Sequence, residues 1–134
     1  MTLVDTNVLL DILTGQPNWR VWSLDMMDQQ AAAGALLVTD VVYAELSPLF
    51  ATADLLDAAI ADLNVSLRRI PPLALFAAGR AFEQYRRKGG PRSTLLGDFF
   101  IGAHAQIEGL PILTRDTRRY RTYFPDVQLI APDV

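Results

Sequence analysis

The chain has 134 residues, enough for one domain with a buried core, and no cysteine, which excludes disulfides, thiolate metal sites and cysteine nucleophiles. No apolar run approaches the ~18 residues of a membrane span, and Asp5 and Asp11 interrupt any signal-peptide pattern, so the expectation is a cytoplasmic protein without membrane association. The net charge of −3 conceals a segregation, with nine acidic and three basic residues in 1–79 against four acidic and nine basic in 80–123.

Residues 2–5 read as a short buried strand. Asp5 or Thr6 can cap the helical pattern of Val8, Leu9, Ile12 and Leu13, which Gly15 and Pro17 break. Asn18 can cap a second helix over roughly 19–33, with Trp19, Trp22, Leu24, Met26 and Met27 as its apolar surface and Gly34 as a left-handed terminator. Leu36-Leu37-Val38-Thr39 is a second strand, followed by Asp40 and a helical segment over 41–50 that carries Glu45. Ser47-Pro48 starts a new turn there. Asp54 can cap a short amphipathic helix through Leu63. Val65, Leu67 and Ile70 alternate with Ser66 and Arg68, as expected for an edge strand, and Pro71-Pro72 stops it. A long helix over 73–87 ends at Gly89-Gly90-Pro91. Ser93 or Thr94 then caps a helix to about Glu108, closed by Gly109 and Pro111. Residues 111–114 make a fourth strand, 117–123 a short helix, and 127–131 a last strand.

Five strands separated by helices imply right-handed crossovers, hence an α/β three-layer sandwich around a mostly parallel, roughly five-stranded sheet. With no linker or repeat visible, 1–134 is expected to be a single domain. Hydrophobic residues make up 51%, and the mean hydropathy is +0.19, apolar for a domain this small. That surplus suits a surface covered by a second copy or another chain.

Four acids stand where the pattern does not ask for surface charge: Asp5 at the first strand exit, Glu45 after the second strand, Asp98 inside Leu95-Leu96-Gly97-Asp98-Phe99-Phe100-Ile101, and Asp116 at the fourth strand exit. Each alone is explained by a helix cap, a solvated helix face or a first-turn acid. Together they can share the carboxyl edge of a parallel sheet, where ligands of open α/β sheets bind. Carboxylates gathered in a cleft take up protons or bind a hard cation. An oxygen-only donor set with no Cys and one His favours Mg²⁺ or Mn²⁺.

At these positions the sequence resembles the PIN-domain ribonucleases, and within them the VapC toxins of toxin–antitoxin pairs. The resemblance is carried by Val4-Asp5-Thr6-Asn7-Val8-Leu9-Leu10, Val42-Tyr43-Ala44-Glu45-Leu46, Gly97-Asp98-Phe99-Phe100-Ile101-Gly102-Ala103-His104-Ala105, and Leu113-Thr114-Arg115-Asp116 with Arg118-Arg119-Tyr120. It implies a PIN-like nuclease domain and a Mg²⁺- or Mn²⁺-dependent endoribonuclease. Its three constant acids map onto Asp5, Glu45 and Asp98, its variable fourth onto Asp116, and its supporting polar residues onto Thr6 or Asn7 and Thr114. It also implies an RNA substrate, a homodimer, and a small VapB-like antitoxin that covers the acidic cleft.

Eleven of the twelve basic residues are arginines, whose planar fork suits phosphate. Arg86, Arg87, Lys88 and Arg92 around a glycine-rich turn, and Arg115, Arg118, Arg119 and Arg121 near the fourth acid, are candidates for RNA contact. A solvated basic face explains each of them equally well. His104, six residues after Asp98, lies about 120° away around the helix axis, so a satisfied or surface histidine is expected rather than a general base. Asp11 is expected to be solvated, Asp40 to cap a helix, and Trp19 and Trp22 to pack. Two other classes of function remain open on the residues alone. One is an aspartate-based phosphatase or phosphotransferase with Asp5 as nucleophile, although Asn7 stands where a second acid belongs; a phospho-acceptor regulatory domain is weaker still, with Lys88 the only lysine. The other is a non-catalytic α/β domain whose acidic cleft docks a basic partner tail.

Overall fold

The computed structural model describes residues 1–90 and 96–132. The fold is α/β, with five parallel strands: β1 (Thr2–Val4), β2 (Leu36–Thr39), β3 (Val65–Arg68), β4 (Ile112–Leu113) and β5 (Leu129–Ile130). Among the described residues seven α-helices flank them: α1 (Thr6–Leu13), α2 (Arg20–Ala33), α3 (Asp40–Leu46), α4 (Ala53–Asp62), α5 (Pro72–Arg87), α6 (Leu96–Glu108) and α7 (Arg118–Tyr123). A single 3-10 turn, Ser47–Leu49, follows α3 where the Ser-Pro pair predicts a new start.

Every residue of β1 and β2 is buried, as continuous apolar runs covered on both faces require. β3 buries Val65 and leaves Leu67 exposed, which makes it an edge. The strand order is β3-β2-β1-β4-β5. The chain therefore builds outward from β1 in one direction and then returns to add β4 on its other side. That reversal opens a crevice at the carboxyl ends of β1 and β4. Register sharpens it: Val4 pairs with Leu113, and the Asp5 amide donates to the Leu113 carbonyl at 2.9 Å. Asp5 and Thr114 thus leave the sheet side by side.

Most helix boundaries agree with the sequence reading within a residue or two, but α3 stops at Leu46, four residues short of the expected 41–50 segment, and several caps differ. Thr52, not Asp54, caps α4, its hydroxyl accepting from the Leu55 amide at 3.2 Å. Trp19, not Asn18, precedes α2, and it makes no side-chain cap. Gly34 is extended, with φ 169°, rather than left-handed; a Cβ there would stand 2.9 Å from the Met1 backbone nitrogen, so close approach is what demands glycine. Asp40 lies inside α3 and does not cap it. Its carboxylate accepts from the Ile70 amide at 3.1 Å and pairs with Arg69 Nε at 2.7 Å, pinning the end of β3. The expected Ser93 or Thr94 cap lies outside the described residues.

Candidate active site

Asp5 closes β1 and caps α1, and its carboxylate is buried. Oδ1 accepts from the Thr6 amide at 2.8 Å, while Oδ2 accepts from the Thr114 and Tyr120 hydroxyls, both at 2.8 Å. Burial pushes its pKa above the usual carboxylate range; the three hydrogen bonds oppose that shift, and the charge of Glu45 adds to it. Tyr120 is buried too. Burial, then the nearby acids, hold its hydroxyl well above the ordinary phenol value, so it stays a donor to Asp5.

Glu45 reaches the same edge from α3. Its Oε1 accepts from the Thr6 hydroxyl at 2.8 Å, so Thr6 serves Asp5 with its amide and Glu45 with its side chain. Both Glu45 oxygens lie 3.7 Å from where a Cβ on Gly97 would stand, which brings Glu45 beside the first turn of α6. Asp98, in that turn, has its pKa raised to about 6. Burial is the main cause, and the charges of Asp5, Asp116 and Glu45 also raise it, while Arg119, whose NH1 lies 3.7 Å away, lowers it. The four sequence-selected acids therefore share one electrostatic neighbourhood. Asp116, like Glu45, is exposed: its amide donates to the Thr114 hydroxyl at 3.1 Å, and its Oδ1 accepts from the Arg118 amide at 3.4 Å. Among the described residues, no three of the acids and the histidine stand close enough to close a metal cage.

Asn7 completes the polar set expected around the acids. Its Nδ2 donates to the Thr114 hydroxyl at 3.2 Å, and its Oδ1 accepts from the Arg115 amide at 3.1 Å. The arginines divide. Arg118 and Arg86 are exposed, Arg87 is exposed and paired with Glu83 at 2.5 Å, and Arg119 leans toward Asp98. Arg115 has its fork on Asp11, and Arg92 lies outside the described residues.

Sequence reasoning assigned no role to two residues of this neighbourhood. Tyr120 was visible only as an aromatic within the basic run Arg118-Arg119-Tyr120-Arg121. Asp11 is corrected outright: it is not solvated but 2% exposed, accepting from Ser23 Oγ at 2.8 Å and from Arg115 Nε and NH2 at 2.6 and 2.8 Å. A carboxylate that deep needs such partners. His104, fully buried, is satisfied as expected, between the Thr39 hydroxyl on Nδ1 and the Glu108 carboxylate on Nε2.

The PIN-domain family profile matches residues 2–125. No curated protein sequence is significantly similar to the chain. Solved structures that share the fold at low identity include the following three. The VapBC2 complex of Rickettsia felis bound to a DNA fragment from its promoter gives a TM-score of 0.71 at 16% identity, covering 98% of each chain. VapBC-1 of nontypeable Haemophilus influenzae gives 0.71 at 16%, over 97% of this chain and 96% of that one. FitAcB of Neisseria gonorrhoeae gives 0.63 at 21%, over 97% and 96%.

Proposed function

The chain belongs to the PIN-domain family, and on that premise we propose that it is a Mg²⁺- or Mn²⁺-dependent endoribonuclease acting as the VapC-type toxin of a toxin–antitoxin pair. PIN domains are generally nucleases. The observation that carries the reading to this chain is the gathering of Asp5, Glu45, Asp98 and Asp116 at one sheet edge, with Asp98 raised to about 6 in part by the charges of the other three.

The donor set fits the cation. All donors are hard oxygens, and Mg²⁺ keeps several waters while taking only one or two carboxylates directly. That suits an edge where acids gather without closing a cage. When bound, such an ion orients the phosphodiester, activates water and stabilises the departing oxygen. Asp5 and Asp98 would hold it, with Glu45 and Asp116 acting directly or through water. Thr114 and Tyr120 fix Asp5 through Oδ2, so Oδ1, which accepts only the Thr6 amide, keeps a lone pair for the ion. Thr6 orients Glu45, and Asn7 holds Thr114 in place. Arg86, Arg87, Arg118 and Arg119 would steer the RNA strand by its phosphates.

The whole of 1–134 would act as one nuclease unit in the cytoplasm. Two kinds of protein partner belong to the reading: a second copy of the chain, and a small VapB-like antitoxin that covers the cleft. The antitoxin is supported by the VapBC complexes among the fold's relatives, and either partner by apolar side chains left bare, such as Val21, Leu73 and Phe76. No described helix is long and apolar enough to cross a membrane. A nucleophilic role for Asp5, as in a phosphatase, is not favoured, because Asn7 stands where such an enzyme carries a second acid, and the Asn7 side-chain amide is engaged with Thr114 and the Arg115 amide.

The test is Asp98→Asn. It should abolish Mg²⁺- or Mn²⁺-dependent cleavage of RNA while leaving the circular dichroism spectrum unchanged, and should relieve growth arrest when the gene is induced. Cleavage by the variant at the wild-type rate refutes the assignment.

A further inference from the structure

Arg115 is adjacent to the fourth acid and, by sequence, a candidate for phosphate contact. Its surroundings give it other work. Nε and NH2, the side-on pair of donors with which an arginine can grip a phosphate, both bond to Asp11, at 2.6 and 2.8 Å. The guanidinium carbon lies 4.8 Å from the centroid of the Trp19 ring, so one face is covered by an aromatic. Asp11 is fixed in turn by the Ser23 hydroxyl from α2. Arg115 thus ties the turn after β4 to both helices of the α1–α2 pair.

That turn bears on the acids. The Arg115 amide donates to Asn7 Oδ1, Asn7 Nδ2 donates to the Thr114 hydroxyl, and the Thr114 hydroxyl donates to Asp5 Oδ2. The next residue, Asp116, is exposed, and the one donor to its carboxylate among the described residues is the Arg118 amide at 3.4 Å. Its direction therefore depends on how firmly Thr114 and Arg115 are held.

We infer that Arg115, anchored on Asp11, is a positioning residue that sets Asp116 and Thr114 for cation binding, and is not a contact for RNA. The inference rests on the proposed function, since it needs a cation at the acidic edge. Outer partners of metal ligands typically contribute about tenfold or more to affinity or rate. The decisive variant is Arg115→Lys, which keeps the positive charge and its pull on phosphates but loses the planar fork. Asp11→Asn removes the anchor without touching the basic surface.

Three quantities separate the roles, all measured below the onset of melting. They are the dissociation constant for Mn²⁺ alone, the affinity for a single-stranded RNA oligonucleotide in EDTA across salt concentrations, and kcat and KM for cleavage. Positioning predicts that both variants bind Mn²⁺ roughly tenfold more weakly and lose kcat with KM unchanged, while RNA affinity and its salt slope match wild type. If instead Arg115→Lys binds Mn²⁺ like wild type while Arg115→Ala loses about one unit of salt slope, Arg115 is an RNA contact and the inference is overturned. A lowered melting temperature with Mn²⁺ affinity intact would make the ion pair purely structural, which also overturns it. Should Asp11→Asn fail to fold, Arg115→Lys alone decides. Wild-type protein that neither binds Mn²⁺ nor cleaves RNA defeats the functional reading itself, whereas wild-type activity with an unaffected Arg115→Lys defeats only the positioning role.

Discussion

Replacing Asp98 by Asn should stabilise the metal-free protein at neutral pH, even as it removes activity. Asp98 has a folded pKa of about 6 against an ordinary value of 3.8, mainly because it is buried and then because it faces Asp5, Asp116 and Glu45. A carboxyl whose folded value is raised binds protons more tightly in the fold, so the fold is favoured below pH 3.8 and loses that advantage as pH rises to about 6. Taken at face value the shift is worth roughly 3 kcal/mol at 1.36 kcal/mol per unit. The side chain is 34% exposed, however, and solvent screening reduces that to about 1–2 kcal/mol. For a chain of this length each kcal/mol moves Tm by about 3–6 °C, so the variant should melt about 3–12 °C higher at pH 7.5. Near pH 3.5 the two proteins should melt together. Thermal unfolding followed by circular dichroism in EDTA, in steps from pH 3.5 to 8, reads the difference directly. Adding Mg²⁺ at pH 7.5 should then raise the wild-type Tm and leave the variant's nearly unchanged. A variant no more stable than wild type at pH 7.5 would refute the claim that these acids crowd one another.

Two further outcomes follow from the hydrogen bonds. Tyr120→Phe removes a hydroxyl that donates to a buried carboxylate, so it should destabilise the fold by roughly 1.5–3 kcal/mol in urea titration at pH 7 and slow RNA cleavage; an unchanged urea midpoint would remove Tyr120 from the support of Asp5. Glu108 is held at about 2, chiefly by Arg68 and also by His104, so its contribution is complete above pH 4.5 and fades as pH falls toward 2. Glu108→Gln should therefore cost stability at pH 7 and flatten the loss between pH 4.5 and 2, and a wild-type acid limb in that variant would contradict the network.

The sheet was legible because its strands are short apolar runs set between helical patterns, and because β1 and β2, covered on both faces, admit no polar alternation. The caps were less legible. Thr52 and Asp54 are both good cap residues two positions apart, and only the backbone decides which one meets the Leu55 amide. Gly34 stops a helix in either reading, but its true constraint is the Met1 backbone beside it, a contact between residues far apart in sequence. In the same way, the requirement for glycine at Gly102 is invisible until the Phe124 ring is seen 2.2 Å from where a Cβ would stand.

Asp11 and Asp98 carried the same signal, a charge interrupting an apolar run, and sequence reasoning valued only the second. The difference between them lies in what surrounds each acid. Among the described residues, the acids outside the proposed site that are not exposed have cations at short range: Asp11 has Arg115, Asp40 has Arg69, and Glu108 has Arg68 with His104. The acids of the site are treated differently. Asp5 and Glu45 are held by the Thr6, Thr114 and Tyr120 hydroxyls and by a backbone amide, and Asp98 meets Arg119 only at 3.7 Å. Hydroxyls orient a carboxylate without neutralising it. An edge that fixes its acids with neutral donors, while cations compensate the other acids withdrawn from solvent, keeps its negative charge available. That is the electrostatic condition a binding site for a hard cation requires.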